Sequence, residues 1–550
     1  MPQTQQIAPL LKANIKGSYA FCAVAERWPK ITTKVINQLR SDFPNVNDDN
    51  GKDAETVVSK IVVLQSIMRE KKMFVELVPI DGHLVVFNEE LQKLKDEGGE
   101  EHANFTDASW LFCGCYVYAK LHEFFLSTKT LKEYDPFAHE KNRALFASRP
   151  HITALAVELL DWEKDPKTDV KGVISRLLQV ALWGNKCDLS HSGGDPHIIA
   201  DNMFTQLDDF RHAILVDDVE AAAELLATKA NDRTVHIVFD NAGLELVTDL
   251  VLAEFLVARG LVKNVVFHGK SFPWYVSDVT PDDYSWVLQT LAKDSDPAIA
   301  IFGKRWLKRP EFSFRHEEFW TRPNCFWDMK AVAGSLFEEL KSSALTIFKG
   351  DLNYRKLVGD RDWPYQIDYK FALQSMSEVP LFALRTLKAD TVCGLSDENV
   401  KMLKAKYGAD KSWMVSSDWA VAQLNLPLYF TMALSQQIAP LLKAKVVGSY
   451  AHGDVTDRYP KRLTKVINQL RREYPNINED SGKDAESVVS KILEIQAMMR
   501  EKKTLVELDP IDEHLVIYNK ELKKLITEIG AENANFFDAG WMFINHSPCR

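Results

Sequence analysis

One stretch of this chain occurs twice. "QQIAPLLKANIKGSYA" at 5–20 returns as "QQIAPLLKAKVVGSYA" at 436–451, and the match runs on without a gap at an offset of 431 residues. It fails after Phe543, where the chain reads "INHSPCR". A period this long excludes a solenoid. Met432 stands opposite Met1, so the pattern reads as a tandem duplication: one complete protein, a short joint at 426–431, then the truncated front of a neighbour at 432–550. A fused gene reading is favoured over a made fusion. Where the copies differ, apolar positions exchange conservatively, as Phe43 for Tyr474, Val46 for Ile477 and Val86 for Ile517. That is how a packed helical unit varies.

Residues 1–180 accordingly read as a mainly helical domain. "DAETVVSKIVVLQSIMREKK" has apolar residues at helical spacing and a basic end suited to a helix C-terminus. From about 230 the texture changes. Short β-branched runs, "TVHIVFD", "KNVVFHG", "SALTIFKG" and "LFALRTL", alternate with helical patterns. That alternation predicts an α/β domain over 181–425 with a largely parallel sheet. The Trp- and charge-rich stretch 281–342 reads as mostly helical and suited to cap the sheet's active edge.

A length of 550 residues exceeds one ordinary core. At 46% hydrophobic and 26% charged the chain reads as globular and soluble, and a net charge of -10 argues against a nucleic-acid partner. No signal peptide or membrane span is expected. Seven cysteines without framework spacing suit a reducing compartment, the cytoplasm by default or the nucleus. Cys113 and Cys115 read as buried thiols, because no second Cys/His pair at zinc spacing accompanies them. A protein partner for the duplicated unit stays open but unsupported, and a non-enzymatic alternative stands beside it: an interaction module whose tail at 432–550 inhibits the active edge.

Chemistry gathers at the strand ends. "TVHIVFD" runs into Asn241-Ala242-Gly243 and then a helical pattern that Gly260 stops. Asp240 and Asn241 thus stand at the carboxyl end of a strand, the edge where open α/β sheets bind ligands. Helix capping explains Asp240 equally well on this motif alone. Three further strands end in polar clusters: Asp278 after the second, Lys349 to Arg355 after the third, and Arg385, Thr386 and Lys388 after the fourth. Asp240, Asn241 and Asp278 make a hard-oxygen set for Mg²⁺ or Mn²⁺. Lys388, Arg355 and backbone amides around Gly350 can hold a phosphate. Metal plus cationic clamp equips a chain for phosphoryl transfer. By spacing Glu245 is a helix-face charge, with reach to the pocket as the alternative. Asn185, Asp188 and Ser190 in "WGNKCDLSHSGGD" either line the pocket or form a helix end and turn, and His191 and His197 read as surface-loop residues. "HGKS" at 268–271 is not a Walker A loop, since Asn264 stands where that loop needs glycine. No G-x-G-x-x-G follows the first strand, which leaves NAD unsupported.

In this order, "WGNKCDLS", "FDNAGLE", "HGKSFPWYVSDV", "KGDLNYRKL" and "LRTLKAD" resemble the damage-control phosphatases of a former domain-of-unknown-function family. The sugar-phosphate branch with an Arg-Thr-x-Lys motif, also called acidic residue methyltransferase-like, fits best. The resemblance covers residues 1 to about 425. It implies a Rossmann-like three-layer α/β/α domain behind the helical front. It also implies metal-dependent hydrolysis of small sugar phosphates, notably fructose 1-phosphate and fructose 6-phosphate, with manganese, cobalt or nickel. The proposed purpose is to limit glycation. The family's metal ligands fall on Asp240, Asn241 and Asp278. Its substrate segment falls on Asp351, Leu352, Asn353, Tyr354 and Arg355, and its motif lysine on Lys388. Catalytic roles are implied for Asp240, Asn241, Asp278 and Lys388, with Arg385 a further pocket candidate. The alternative activity, glutamate O-methyl transfer, would place S-adenosylmethionine on Glu245 and Asp278.

Overall fold

The structure is a computed structural model. It describes residues 6–184, 207, 210–228, 230–427, 459–473 and 480–501, and the single positions 522, 523 and 526. Two compact units divide the chain, Met1–Leu426 and Pro427–Arg550. The first holds both the helical front and a seven-stranded sheet. Among the described residues no helix is long and apolar enough to cross a membrane.

The front supplies helices α1 (Trp28–Asp42), α2 (Asp49–Arg69), α3 (Gly82–Gly98), α4 (Trp110–Leu126), α5 (Ala138–Ala147), α6 (Arg149–Lys164) and α7 (Val170–Trp183). Helix α4, "WLFCGCYVYAKLHEFFL", is its core. Every residue but His122 and Leu126 is buried, Cys113 and Cys115 included. A helix apolar on all sides must be wrapped on all sides. Its one buried charge pair, Lys120 Nζ to Glu123 Oε2 at 2.7 Å, satisfies itself.

The sheet contains β1 (Ile214–Asp217), β2 (Ala230–Val238), β3 (Val262–His268), β4 (Phe312–Arg315), β5 (Leu345–Lys349), β6 (Leu381–Thr386) and β7 (Ala420–Asn425), in the order β1-β7-β6-β5-β2-β3-β4. The run β6-β5-β2-β3-β4 is parallel throughout; β7 turns antiparallel to β6 and carries β1 parallel to itself. Strands β5 and β6 are buried at every residue, as central parallel strands covered on both faces must be. Around the sheet run α8 (Val219–Ala227), α9 (Leu244–Ala258), α10 (Pro281–Ala292), α11 (Pro297–Trp306), α12 (Gly334–Ser342), α13 (Gly350–Leu357) and α14 (Asp397–Tyr407). The stretch 281–342 is therefore not wholly helical: Phe312–Arg315 adds an edge strand, with Phe314 stacked 4.6 Å from Tyr284.

From β2 the chain crosses through α9 to β3 on one side, and β5 lies on the other. The order reverses there, so a crevice opens between the carboxyl ends of β2 and β5.

The second unit contains α15 (Tyr459–Glu473) and α16 (Asp480–Glu501). They repeat the α1–α2 contacts at the sequence offset. Arg471 pairs with Glu486 as Arg40 does with Glu55, and Gln496 donates to Thr464 as Gln65 does to Thr33.

Helix α4 also pins the loop that follows β3. Tyr275 stacks on Tyr118 with ring centroids 4.7 Å apart, Phe272 stacks on His122 at 3.9 Å, and Trp274 is fully buried. Gly114 makes room: a Cβ there would lie 2.2 Å from the Tyr275 hydroxyl oxygen. Within this loop Tyr275 and Val276 hold φ of 41° and 76°. For a β-branched residue that conformation is an outlier, costing on the order of 1–3 kcal/mol, and only firm surroundings maintain it.

Substituting Gly114→Val should lower stability by about 1–3 kcal/mol. It should also raise amide hydrogen exchange across 271–278, read by mass spectrometry. A second expectation concerns Lys356 on α13, which is buried and donates to the Arg322 carbonyl at 2.6 Å. Burial pulls its pKa down to about 8 from an ordinary 10.5. The unfolded chain then binds the extra proton between those values, so stability rises with pH from about 8 to 10.5. Denaturation at pH 7, 8, 9 and 10 should show this slope, and Lys356→Met should flatten it.

Candidate functional site

The residues at the reversal come from three strand ends. Asp240 and Asn241 follow β2, Asp278 closes the loop after β3, and Lys349 and Gly350 join β5 to α13. The β2 and β3 loops are stitched by backbone: Asn241 and Asp278 form an isolated antiparallel bridge, Ala242 N donates to Ser277 O at 2.7 Å and Val279 N to Asp240 O at 3.0 Å. Across the crevice, Asn353 Nδ2 donates to Phe239 O at 3.1 Å and to Lys349 O at 2.7 Å, tying β2 to β5. Gly350 has φ +84°, and a Cβ on it would stand 2.0 Å from Asp240 Oδ2. Only glycine admits the carboxylate there. Gly243, at φ 86° and ψ −135°, makes the turn into α9 that no residue with a side chain adopts readily.

Four carboxylates are buried here: Asp240, Asp278, Glu245 and Asp249. Two ammoniums are buried with them. Lys270 Nζ lies 3.3 Å from Asp278 Oδ2, and Lys349 Nζ lies 2.9 Å from both Glu245 Oε1 and Asp249 Oδ1. The carboxylates thus outnumber the ammoniums that pair with them directly. Burial and the neighbouring charges of Glu245 and Asp278 push the Asp240 carboxyl well above its ordinary range, against Lys388 and Lys270. Burial lifts Asp278 to about 6 and Asp249 to about 7, in each case against the lysine beside it. Asp278 Oδ2 is buried, with the Lys270 ammonium 3.3 Å away as its partner.

A divalent cation fits these groups. The donors are hard oxygens, and the burial and mutual repulsion that raise the Asp240 and Asp278 carboxyls are what a bound cation relieves. Among the described residues no three His, Cys, Asp or Glu side chains group for a metal by themselves, so the Asn241 amide would have to complete the set.

The other predicted residues divide. Lys388 is half-buried, its charge acts on Asp240, and its ammonium makes no hydrogen bond or ion pair among the described residues. Asp351 accepts from Arg385 Nε at 2.8 Å and from the Lys388 backbone N–H at 3.2 Å. Arg385 spends its other nitrogens on the Thr391 and Ala389 carbonyls. Arg355 forms a two-pronged pair with Asp360 at 2.7 and 2.8 Å and stacks 3.6 Å from the Trp110 ring, so it offers no clamp to a phosphate. Leu352 packs in the helical core, and Tyr354 is buried with its hydroxyl on Gln423. Glu245 is buried and bonded to both Lys349 and Asn241 Nδ2. Asn185, Asp188, Ser190, His191 and His197 lie outside the described residues.

Lys270, Asp249 and Ser277 were not singled out from sequence. Asp249 had a signal: it stands four residues after Glu245 in a largely apolar helix, so the two charges share one face. Lys270 lies in the "HGKS" set aside as a phosphate loop; its partners are Asp278 and the Phe239 carbonyl.

Known proteins match this chain over the same region. Damage-control phosphatase ARMT1 of Danio rerio is 35% identical over 437 residues, 76% of this chain and 97% of that protein. The Homo sapiens protein of that name is 34% identical, over 75% and 97%. A DUF89 family protein structure from Pyrococcus horikoshii aligns at 15% identity and TM-score 0.35, over 72% of this chain and 98% of its own. The family model for the damage-control phosphatase ARMT1-like domain matches residues 23–403. With most of the chain matched by that model and about a third of positions shared with full-length relatives, the chain belongs to the damage-control phosphatase ARMT1-like family.

Proposed function

We propose that this chain hydrolyses small sugar phosphates, fructose 1-phosphate and fructose 6-phosphate among them, with a divalent metal held by Asp240, Asn241 and Asp278. One observation carries the reading: a cluster of buried carboxylates with raised pKa values sits beside Lys388, whose ammonium is unpaired among the described residues. A divalent cation bound there would withdraw charge from a phosphate oxygen. Lys388 supplies the positive charge for the remaining phosphate oxygens, since Arg355 and Arg385 are both engaged. Lys270 holds Asp278, and Ser277 Oγ donates to Asn241 Oδ1 at 2.5 Å. Burial keeps bulk water from the carboxylates, so their charge acts at low dielectric. Methyl transfer from S-adenosylmethionine draws no support from Glu245, whose two oxygens face Lys349 and Asn241.

Phosphate release from fructose 1-phosphate with Mn²⁺ tests the proposal. Turnover should depend on the metal and fall about a hundredfold or more in Asp240→Ala. Lys388→Met should lose about ten- to a hundredfold in kcat/KM, as removal of a charged hydrogen-bond donor does. No release from the folded parent, across metals and several sugar phosphates, would overturn it and bring methyl transfer forward. Gly350→Ala should drive its methyl into Asp240 and cost about a hundredfold in kcat while the chain stays folded.

A further inference from the structure

Helices α15 and α16 are the second copy of α1 and α2, and the first copy shows what such a pair is built to bury. Leu39 of α1 and Val57 and Ile61 of α2 are each 0% exposed. They belong to one apolar core with α4, and Lys60 beside them lies 5.7 Å from the Phe124 ring centroid of that helix. At the offset of 431 residues the same three residue types recur as Leu470, Val488 and Ile492. Val488 is 47% exposed there, and Leu470 and Ile492 are partly exposed. Ile467, Ala485 and Val489, in contrast, stay buried as Ile36, Ala54 and Val58 do. The second pair keeps the seam between its own two helices and leaves one apolar face open.

The sequence supplies the reason. The repeat matches as far as Phe543, so of α4 the second copy keeps counterparts only of Trp110, Leu111 and Phe112. Where the first copy continues "CGCYVYA", the second reads "INHSPCR", with no position in common and a proline that a helix interior rejects. Helix α4 itself is already wrapped, all but two of its residues being buried. Two helix pairs and one α4 per chain do not balance. Trading α4 between copies uncovers one such face for every face it covers.

We infer that the face formed by Leu470, Val488 and Ile492 is a self-association surface, covered by the same face of a second copy of this chain. A two-fold contact sets a patch against its own duplicate, so an uncharged apolar face needs no complementary surface elsewhere, and the assembly closes at two copies. The cores of homodimer interfaces are apolar in just this way. Exposed apolar residues alone do not define the surface. Leu493 is 42% exposed on α16, but its counterpart Val62 is 48% exposed in the first copy, so that position faces outward in both. Val488 and Leu493 are therefore alike in exposure and opposite in role.

Sedimentation of the full chain over a range of concentrations tests the surface. The parent should form a dimer and nothing larger. Val488→Asp places a carboxylate against its own duplicate and should weaken dimerisation by about a hundredfold or more, while Leu493→Asp should leave it intact. Val488→Thr keeps the shape of the side chain and serves if the aspartate variant does not fold. Burying two hydroxyls should weaken the dimer about tenfold or more. A parent that is monomeric throughout, or that grows beyond two copies, would overturn the inference, as would equal effects of Val488→Asp and Leu493→Asp. Amide hydrogen exchange across 110–126 should be the same in the dimer and in monomeric Val488→Asp. A difference there would show that α4 is the element exchanged and would overturn the pairing of like faces.

Discussion

Like charges crowded into a dry pocket dominate this structure. Two unit charges 4 Å apart interact by about 4 kcal/mol at an effective dielectric of 20, and four carboxylates share the crevice at the sheet's reversal. They stay together because cations are buried with them and because the backbone leaves no room to spread. Lys349 bridges to α9 from a position 104 residues later than Glu245, and Asn353 reaches the ends of both strands. Neither contact is possible unless β5 lies directly beside β2, so strand order and charge balance are one requirement.

The helical front belongs to the same argument. Asp278 is delivered by a loop whose backbone at Tyr275 and Val276 is strained, and that strain is held by aromatic packing on α4. Helix α4 therefore acts at a distance from the carboxylates. It sets the height of the loop, and Gly114 sets how closely the loop may approach. Loss of a hydroxyl-sized gap in the front would be felt at the sheet edge.

Much of this was legible in the sequence where burial leaves a clear mark. Central parallel strands must be apolar on both faces, so "TVHIVFD" and "SALTIFKG" announced themselves, and the polar residue that ends each one stood out against them. Strands β1, β4 and β7 left no such mark. β4 is a short, half-exposed edge strand, and "AVAQLN" of β7 is rich in alanine. At the site, Asp240, Asn241 and Asp278 do meet, as expected of consecutive strand ends. Arg355 is paired with Asp360, a partner that becomes visible only once α13 turns the guanidinium toward it. Leu352 and Tyr354 share a motif with site residues yet face the core, since one helix presents its residues in several directions.

The burial of α4 has a further consequence, for synthesis. Cys115 on this helix meets the Tyr275 hydroxyl, and 160 residues separate the two. At ribosomal rates of about 5–20 residues per second, α4 waits roughly 8–30 seconds for the aromatic loop that covers it. For that interval one of the most apolar segments of the chain is complete and only partly wrapped. Folding on the ribosome therefore depends on the front helices closing around α4 from their own side first, and a slow or stalled passage through the sheet region leaves its aromatic face open to chaperones or to other nascent chains.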